Sequence, residues 1–295
     1  MKKFIALALA MIMVFSLAAC GEKKEEEQNT NPLGLVEPGK LTVAISPDFA
    51  PMEFVDTSKS GQEQFVGFDV TLAQWIAEDL GLELQIKPMD FSACQAAVQS
   101  KNVDMSISGF SPTEERKENF QLSQEYDTGN EGGQGLLVAA ANGGNFKEAD
   151  DFSGLTIGCQ AASLQLNLVT EQLYEVASDV KIKQFTDLGT AVIALTEGTI
   201  DALAVAKGNG EAIITNNDKV AFTDFWFEID DTGNVILMHK DSAALCEAVN
   251  AAMTKAQDAK YYAEWYAAAR ELAGIETAAE ISYDEEGNEI KDESK

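Results

Sequence analysis

Ser106-Ile107-Ser108-Gly109-Phe110-Ser111-Pro112-Thr113-Glu114-Glu115-Arg116 leaves an apolar strand, turns through small hydroxyl residues and enters a helix near Thr113. Backbone N–H groups at such a helix start point outward and favour an anion. Ser108 and Ser111 add hydroxyl donors, and Arg116 offers a planar fork matched to a carboxylate. The same spacing also suits a capped helix whose Arg116 pairs with Glu114 or Glu115. Outward from this stretch, strands alternate with amphipathic helices. On the N-terminal side are the strand Leu41–Ser46 and a helix capped by Asp69, with Leu72, Trp75, Ile76 and Leu80 on one face and Gly81 at its end. The strand Leu84–Pro88 and a helix over Ser92–Gln99 follow. A second series begins near Thr156: a helix capped by Ser163 with Leu166, Val169, Leu173 and Val176 inward, a strand at Lys181–Phe185, a helix ended by Gly198, and a strand at Ala202–Val205. The closing part holds the strand Val235–Met238 and two helices, one with Leu245, Val249, Ala252 and Met253 inward, the other with Tyr261, Trp265, Ala268 and Leu272. This alternation predicts an α/β protein with mostly parallel sheets in two lobes, and a ligand cleft at the carboxyl ends of the strands.

Composition narrows the function. The 295 residues are 45% hydrophobic and 24% charged, enough to bury a core. Acidic residues number 49 against 21 basic, a formal charge of −28. Such a chain repels phosphate backbones and anionic lipid, which argues against nucleic-acid binding and requires another cause for any membrane contact. His239 is the sole histidine, which disfavours histidine-rich metal sites and a Ser-His-Asp triad. Beyond Cys20, the cysteines Cys94, Cys159 and Cys246 sit among small or apolar residues without C-x-x-C spacing and read as buried hydrophobes. No metal and no cofactor are expected.

The N-terminus has the form of an export signal: Lys2 and Lys3, then the apolar run from Phe4 to Ala19, too short for a spanning helix. Leu17-Ala18-Ala19-Cys20-Gly21 resembles the bacterial lipobox. That resemblance implies cleavage before Cys20, lipid attachment (palmitate among the acyl chains) at that residue, and an extracytoplasmic protein anchored to the cell membrane. The domain reading is a signal peptide over 1–19, a flexible tether over 20–38, lobe 1 over 39–134, lobe 2 over 135–222, a return to lobe 1 over 223–275 and an acidic tail over 276–295. The tail holds eight acidic and two basic residues, with a hairpin turn expected at 284–288. The four glycines between Asp127 and Gly135 read as a crossover between lobes.

The strings LTVAISPDFAPMEF, GFDVTLAQWIAEDLG, VDMSISGFSPTEERKENF and IGCQAAS occur in this order. Together with the closing Lys240-Asp241, Leu245 and Val249-Asn250-Ala251 pattern, they resemble the extracellular solute-binding proteins of polar amino acid ABC transporters, over Gly39 to Gly274. The resemblance implies a type II periplasmic-binding-protein-like fold whose two lobes close on one amino acid, with a permease and an ATPase as partners and no catalysis. It implies that Arg116 clamps the ligand carboxylate. It further implies that the backbone and hydroxyls at Ser111 and Thr113 and the backbone near Gly109 complete that subsite, beside the Ser108 hydroxyl read above, and that Ser163 reaches it from the second lobe. Phe49 is the implied aromatic platform, with Phe110 and Phe91 as further candidates; Phe54 and Phe68 read as core.

Two positions depart from the family. Where members carry an acid for the ligand ammonium, this chain has Ala206, with Glu211 in the following loop as a possible substitute and Asp201 read as structural. Ser46 stands where binders of basic amino acids often have an acid, which argues against Lys or Arg as ligand. Two alternatives share the fold. One is a dehydratase-like enzyme acting on a cyclic carboxylate, with Glu131 or Glu211 as general acid. The other is a ligand-binding sensor subunit.

Overall fold

The computed structural model describes residues 31–126, 132–229 and 233–275, with short backbone strands at 282–283 and 289–290. The chain divides into Met1–Pro32 and Leu33–Lys295, and both lobes belong to the second of these units. The expected signal peptide, Cys20, most of the tether, residues 127–131 of the glycine loop and most of the acidic tail lie outside the described residues. Within the tail, Ser282–Tyr283 and Glu289–Ile290 pair antiparallel around the expected turn.

Lobe 1 begins with β1 (Lys40–Ile45), whose Leu41, Val43 and Ile45 have no exposed surface. Three short strands, β2 (Asp48–Phe49), β3 (Glu53–Val55) and β4 (Phe65–Val66), form an antiparallel ribbon at its carboxyl end. Then come α1 (Phe68–Asp79), β5 (Glu83–Pro88), α2 (Phe91–Gln99), β6 (Met105–Phe110), α3 (Glu114–Asn119) and β7 (Gln121–Leu122). Lobe 2 holds β8 (Gln134–Ala139), β9 (Thr156–Gln160), α4 (Leu164–Leu168), β10 (Lys181–Phe185), α5 (Leu188–Thr196), β11 (Ala202–Ala206), α6 (Lys207–Asn216) and β12 (Val220–Trp226). The chain then returns to lobe 1 as β13 (Val235–Met238), α7 (Ala243–Asp258) and α8 (Tyr261–Leu272).

The two sheets have matching topology, β5-β1-β6-β13-β7 and β10-β9-β11-β8-β12. In each, the three strands joined through helices run parallel. The strand by which the chain enters each sheet from the other lobe, β13 in one and β8 in the other, runs antiparallel to that set, and the edge strands β7 and β12 pair antiparallel with it in turn. A strand that arrives from the other lobe has no crossover helix to set its direction, so the sheets are mixed. β12 runs to Trp226 in the sheet of lobe 2, and β13, in the sheet of lobe 1, begins at Val235.

Local chemistry sets several helix starts and accounts for three differences from the sequence reading. Ser163 Oγ accepts the Leu166 N–H (3.1 Å) and Asp187 Oδ1 the Thr190 N–H (2.7 Å), both N-caps. Asp69 is not the cap of α1. Gly67 occupies that position at φ +122°, where a Cβ would lie 2.3 Å from the Met52 carbonyl oxygen, and Asp69 is buried in the first turn. On α8 the buried stripe is Tyr262, Tyr266 and Ala269, one residue later than the expected set. Tyr261 and Trp265 instead flank the core against Trp75, and Leu272 is exposed. In lobe 2, α4 continues as a π-helical turn over Val169–Tyr174, which breaks the 3.6-residue period and leaves Val176 exposed beyond it.

Candidate functional site

The carboxyl ends of β1 and β6 face those of β9 and β11 across a cavity of about 380 Å³. From lobe 1 it is lined by Phe49, Ser108, Gly109, Ser111 and Arg116, with Phe91 beside them. Lobe 2 contributes Gln134, Gln160, Gln165, Ala206, Lys207 and Asn209, and α8 contributes Tyr266. The lining is rich in amides and hydroxyls and carries few charges.

Arg116 dominates its electrostatics. The side chain is 4% exposed, and its guanidinium lies 5.1 Å from the Phe110 ring centre and 5.5 Å from that of Phe91. Those two rings stack at 4.8 Å and form a shelf beneath it. Nη1 donates to the Ser111 carbonyl (2.8 Å) and Nη2 to the Ala162 carbonyl of lobe 2 (2.9 Å). Burial lowers its pKa to about 10, so it is charged at neutral pH. A desolvated cation held by carbonyl dipoles and ring faces lacks full compensation, and an anion entering beside it supplies that. α3 is only six residues long, so the positive field here comes from the guanidinium more than from the helix dipole.

The other expected residues divide. Thr113 caps α3, its Oγ1 accepting the Arg116 N–H (3.3 Å), and does not line the cavity. Phe110 acts from underneath, through the shelf. Ser163 is 3% exposed and occupied as the cap of α4. Glu211 is outside the lining and pairs with Arg270 of α8 at 2.8 Å, tying the two lobes together. Ala206 lines the cavity as its last β11 residue. Gly109 has φ +56°, and a Cβ there would lie 2.7 Å from the Phe49 ring, so the absent side chain lets the platform lie flat on the strand end.

Behind this wall lies an acid pair that the sequence reading did not single out, although both members occur in the quoted strings PMEF and GFDV. Glu53 and Asp69 have no exposed surface. Asp69 accepts from the Gly109 N–H (2.8 Å) and the Tyr126 hydroxyl (2.9 Å). Ser108 Oγ donates to Glu53 Oε1, and itself accepts the Ser46 N–H (2.9 Å). Glu53 Oε2 finds no donor among the described residues. Burial, then the Asp69 charge, pushes the Glu53 carboxyl well above its ordinary range, while burial lifts Asp69 to about 6. Two buried acids near each other are unfavourable as a pair of anions, which favours Glu53 in its protonated form. Burial likewise raises Tyr126 well above its usual value. Asp48 was also missed: it accepts the Leu188 N–H (2.7 Å) and Gln160 Nε2 (3.3 Å), both from lobe 2, and burial raises its pKa.

The sequence model of the bacterial extracellular solute-binding proteins, family 3, matches residues 41–268. The chain belongs to this family. This solute-binding protein is 29% identical over 259 residues to the arginine-binding extracellular protein ArtP of Bacillus subtilis, covering 88% of this chain and 94% of that one. It is 29% identical over 222 residues to the L-cystine-binding protein TcyJ of Escherichia coli, covering 75% and 79%. Among solved structures, an amino acid ABC transporter substrate-binding protein, AbpA of Streptococcus pneumoniae bound to L-arginine, aligns with a TM-score of 0.73 and 31% identity over 81% of this chain and 97% of that one. Family and two-lobed fold are those the resemblance implies. Of the acids offered for the enzyme alternative, Glu211 is ion-paired outside the lining, and Glu131 lies outside the described residues. Among the described residues no group of three or more His, Cys, Asp or Glu is placed to hold a metal ion, and no helix is long and apolar enough to cross a membrane. Cys94, Cys159 and Cys246 are buried and free, with burial pushing the first two thiols to about 12.

Proposed function

We propose that this solute-binding protein is the lipid-anchored substrate-binding component of an ABC importer, and that it takes an amino acid or amino-acid-like solute by its carboxylate in the cavity between the lobes. The observation that carries the reading is Arg116: a buried guanidinium, aimed into the cavity, whose described hydrogen bonds go only to backbone carbonyls. Its remaining N–H groups suit a bidentate carboxylate. Phe49 receives the ligand's apolar part, and Ser111 and the Gly109 region line the same end.

Arg116 also couples binding to closure. Its Nη2 already reaches the Ala162 carbonyl across the lobes, alongside the Asp48–Leu188 and Glu211–Arg270 contacts. A carboxylate between the guanidinium and the second lobe adds a charged link to that set, and so biases the population toward the closed form that a permease recognises. The relatives' amino-acid ligands support the substrate class, and the lipobox-like Leu17–Gly21 supports the anchor.

A thermal-shift screen tests the carboxylate. Amino acids, their decarboxylated amines and their deaminated acids are compared; a ligand at about a hundred times its Kd adds about 2.7 kcal/mol of apparent stability. Only compounds with the carboxylate are expected to raise Tm, and an amine that stabilises as well as its parent acid refutes the reading. For the anchor, Cys20→Ser is expected to move the protein from the membrane fraction to the soluble fraction of its host, and unchanged membrane retention refutes lipidation there.

A further inference from the structure

The start of α5 is capped twice, once from each lobe. Asp187, its own N-cap, accepts the N–H of Thr190, the third helical residue (2.7 Å). A side chain in that position serves the second or third N–H of a helix and leaves the first to find another acceptor. Here the first belongs to Leu188, and its acceptor comes from lobe 1: Asp48 Oδ2, at 2.7 Å. The same oxygen accepts Gln160 Nε2 of lobe 2 (3.3 Å), while Oδ1 accepts the Ser46 hydroxyl (3.0 Å) and so is held from its own lobe.

Asp48 makes these bonds from outside the cavity lining, although the next residue, Phe49, is part of it. The other charged links between the lobes differ in kind. Arg116 reaches Ala162 from within the lining, and Glu211 meets Arg270 through two long side chains that follow small shifts of either lobe. Asp48 is a short side chain set against a fixed backbone N–H at the positive end of a helix, so its bond exists only with the lobes in this register. Hydrogen bonds to an ionised carboxylate are stronger than neutral ones. When the lobes part, the carboxylate and its lobe 2 donors turn to water, so the bond biases the population toward the closed form.

Resting on the reading above of a protein that closes on its solute, we propose that Asp48 is a positioning residue for binding: it clamps α5 of lobe 2 to the β1 end of lobe 1 and sets the closed fraction without touching the solute. Apparent affinity scales with that fraction whatever fills the cavity. Loss of the clamp therefore weakens every ligand by one common factor, whereas loss of a ligand contact weakens different ligands unequally.

Calorimetry with each of the twenty common L-amino acids that the native protein binds tests this. Asp48→Ala is expected to weaken all of them by about the same factor, about ten-fold, or about 1.4 kcal/mol. Asp48→Asn keeps an acceptor for Leu188 without the charge and should recover part of the loss. Leu188→Pro removes the donor from lobe 2 and leaves Phe49 untouched. Proline suits the first helical position, and Asp187 is already extended, as a residue before proline requires. It should weaken the same ligands in common, and the double variant should lose less than the product of the two single factors. Amide hydrogen exchange gives a readout that a merely structural role does not move. In the ligand-saturated Asp48→Ala protein the Leu188 N–H should lose protection, while Ala191, whose N–H bonds to the Asp187 carbonyl, keeps it. Unchanged affinity in Asp48→Ala, a loss confined to some ligands, or unaltered protection of Leu188 each overturns the inference. Failure of the carboxylate reading has a separate signature: the α-decarboxylated amines bind as tightly as their parent amino acids, or no amino acid binds the native protein at all, which takes this inference with it.

Discussion

Replacing Arg116 with alanine is expected to weaken binding of any ligand found in the screen by about a hundred-fold or more. Truncating one partner of a buried, hydrogen-bonded charge pair costs about 2–5 kcal/mol, and each 1.4 kcal/mol is about ten-fold in affinity. The same change removes the link from Nη2 to the Ala162 carbonyl, so the closed arrangement is weakened as well. Arg116→Met separates charge from packing: it keeps an apolar chain on the Phe91–Phe110 shelf and removes the fork. It should lose binding as completely as alanine while Tm shifts by only a few degrees, because deleting a desolvated cation offsets the lost hydrogen bonds. Arg116→Lys keeps a charge without planar geometry and should fall between. Titration calorimetry beside thermal denaturation reads both quantities, and a Met variant that binds like the native protein contradicts the assignment.

The second large effect concerns stability and its pH dependence. Asp69→Ala leaves the Gly109 N–H and the buried Tyr126 hydroxyl without their acceptor, at about 1–3 kcal/mol each. The expected result is a large drop in Tm and a loosened Gly109 strand end. The intact pair has the opposite sign from ordinary carboxylates. Asp69 at about 6, and Glu53 raised well above its ordinary range, hold protons in the folded state that the unfolded chain releases near pH 4. Their contribution is therefore most favourable below about pH 4 and is lost as pH rises through 6 and beyond. Glu53→Gln is near-isosteric with the protonated acid and keeps an acceptor for Ser108 without a titrating proton. It should be close to neutral at pH 5 and stabilising at pH 8, as measured by denaturant unfolding at both pH values. A Gln variant less stable than native at pH 8 contradicts a protonated Glu53 in the folded protein.

Much of this was legible in the sequence because it depends on local signals. The strand-to-helix turn ending at Arg116, the Ser163 cap and the alternation of β1, α1 and β5 are short-range patterns of hydroxyls, glycines and apolar periodicity. The Arg116 and Phe49 positions follow from strand ends, which a parallel sheet gathers on one side. What stayed hidden depends on distant partners. Asp69 has the composition of a cap, and only the approach of Gly109, forty residues on, turns it into a buried acceptor. Glu211 is a polar residue after a strand, and its commitment to Arg270 requires α8 to fold back between lobes. The aromatic doublets of α8 suit two helical faces equally well. Contacts with Phe68 and Trp75 decide that Tyr266 points inward and Trp265 lies at the edge.

A crystal structure of the protein with a carboxylate ligand from the screen tests the central claim most directly. The account predicts both carboxylate oxygens about 2.7–2.9 Å from guanidinium nitrogens of Arg116, with the ligand body against Phe49. A ligand whose carboxylate lies elsewhere in the cavity, with Arg116 still bonded only to Ser111 and Ala162, contradicts it.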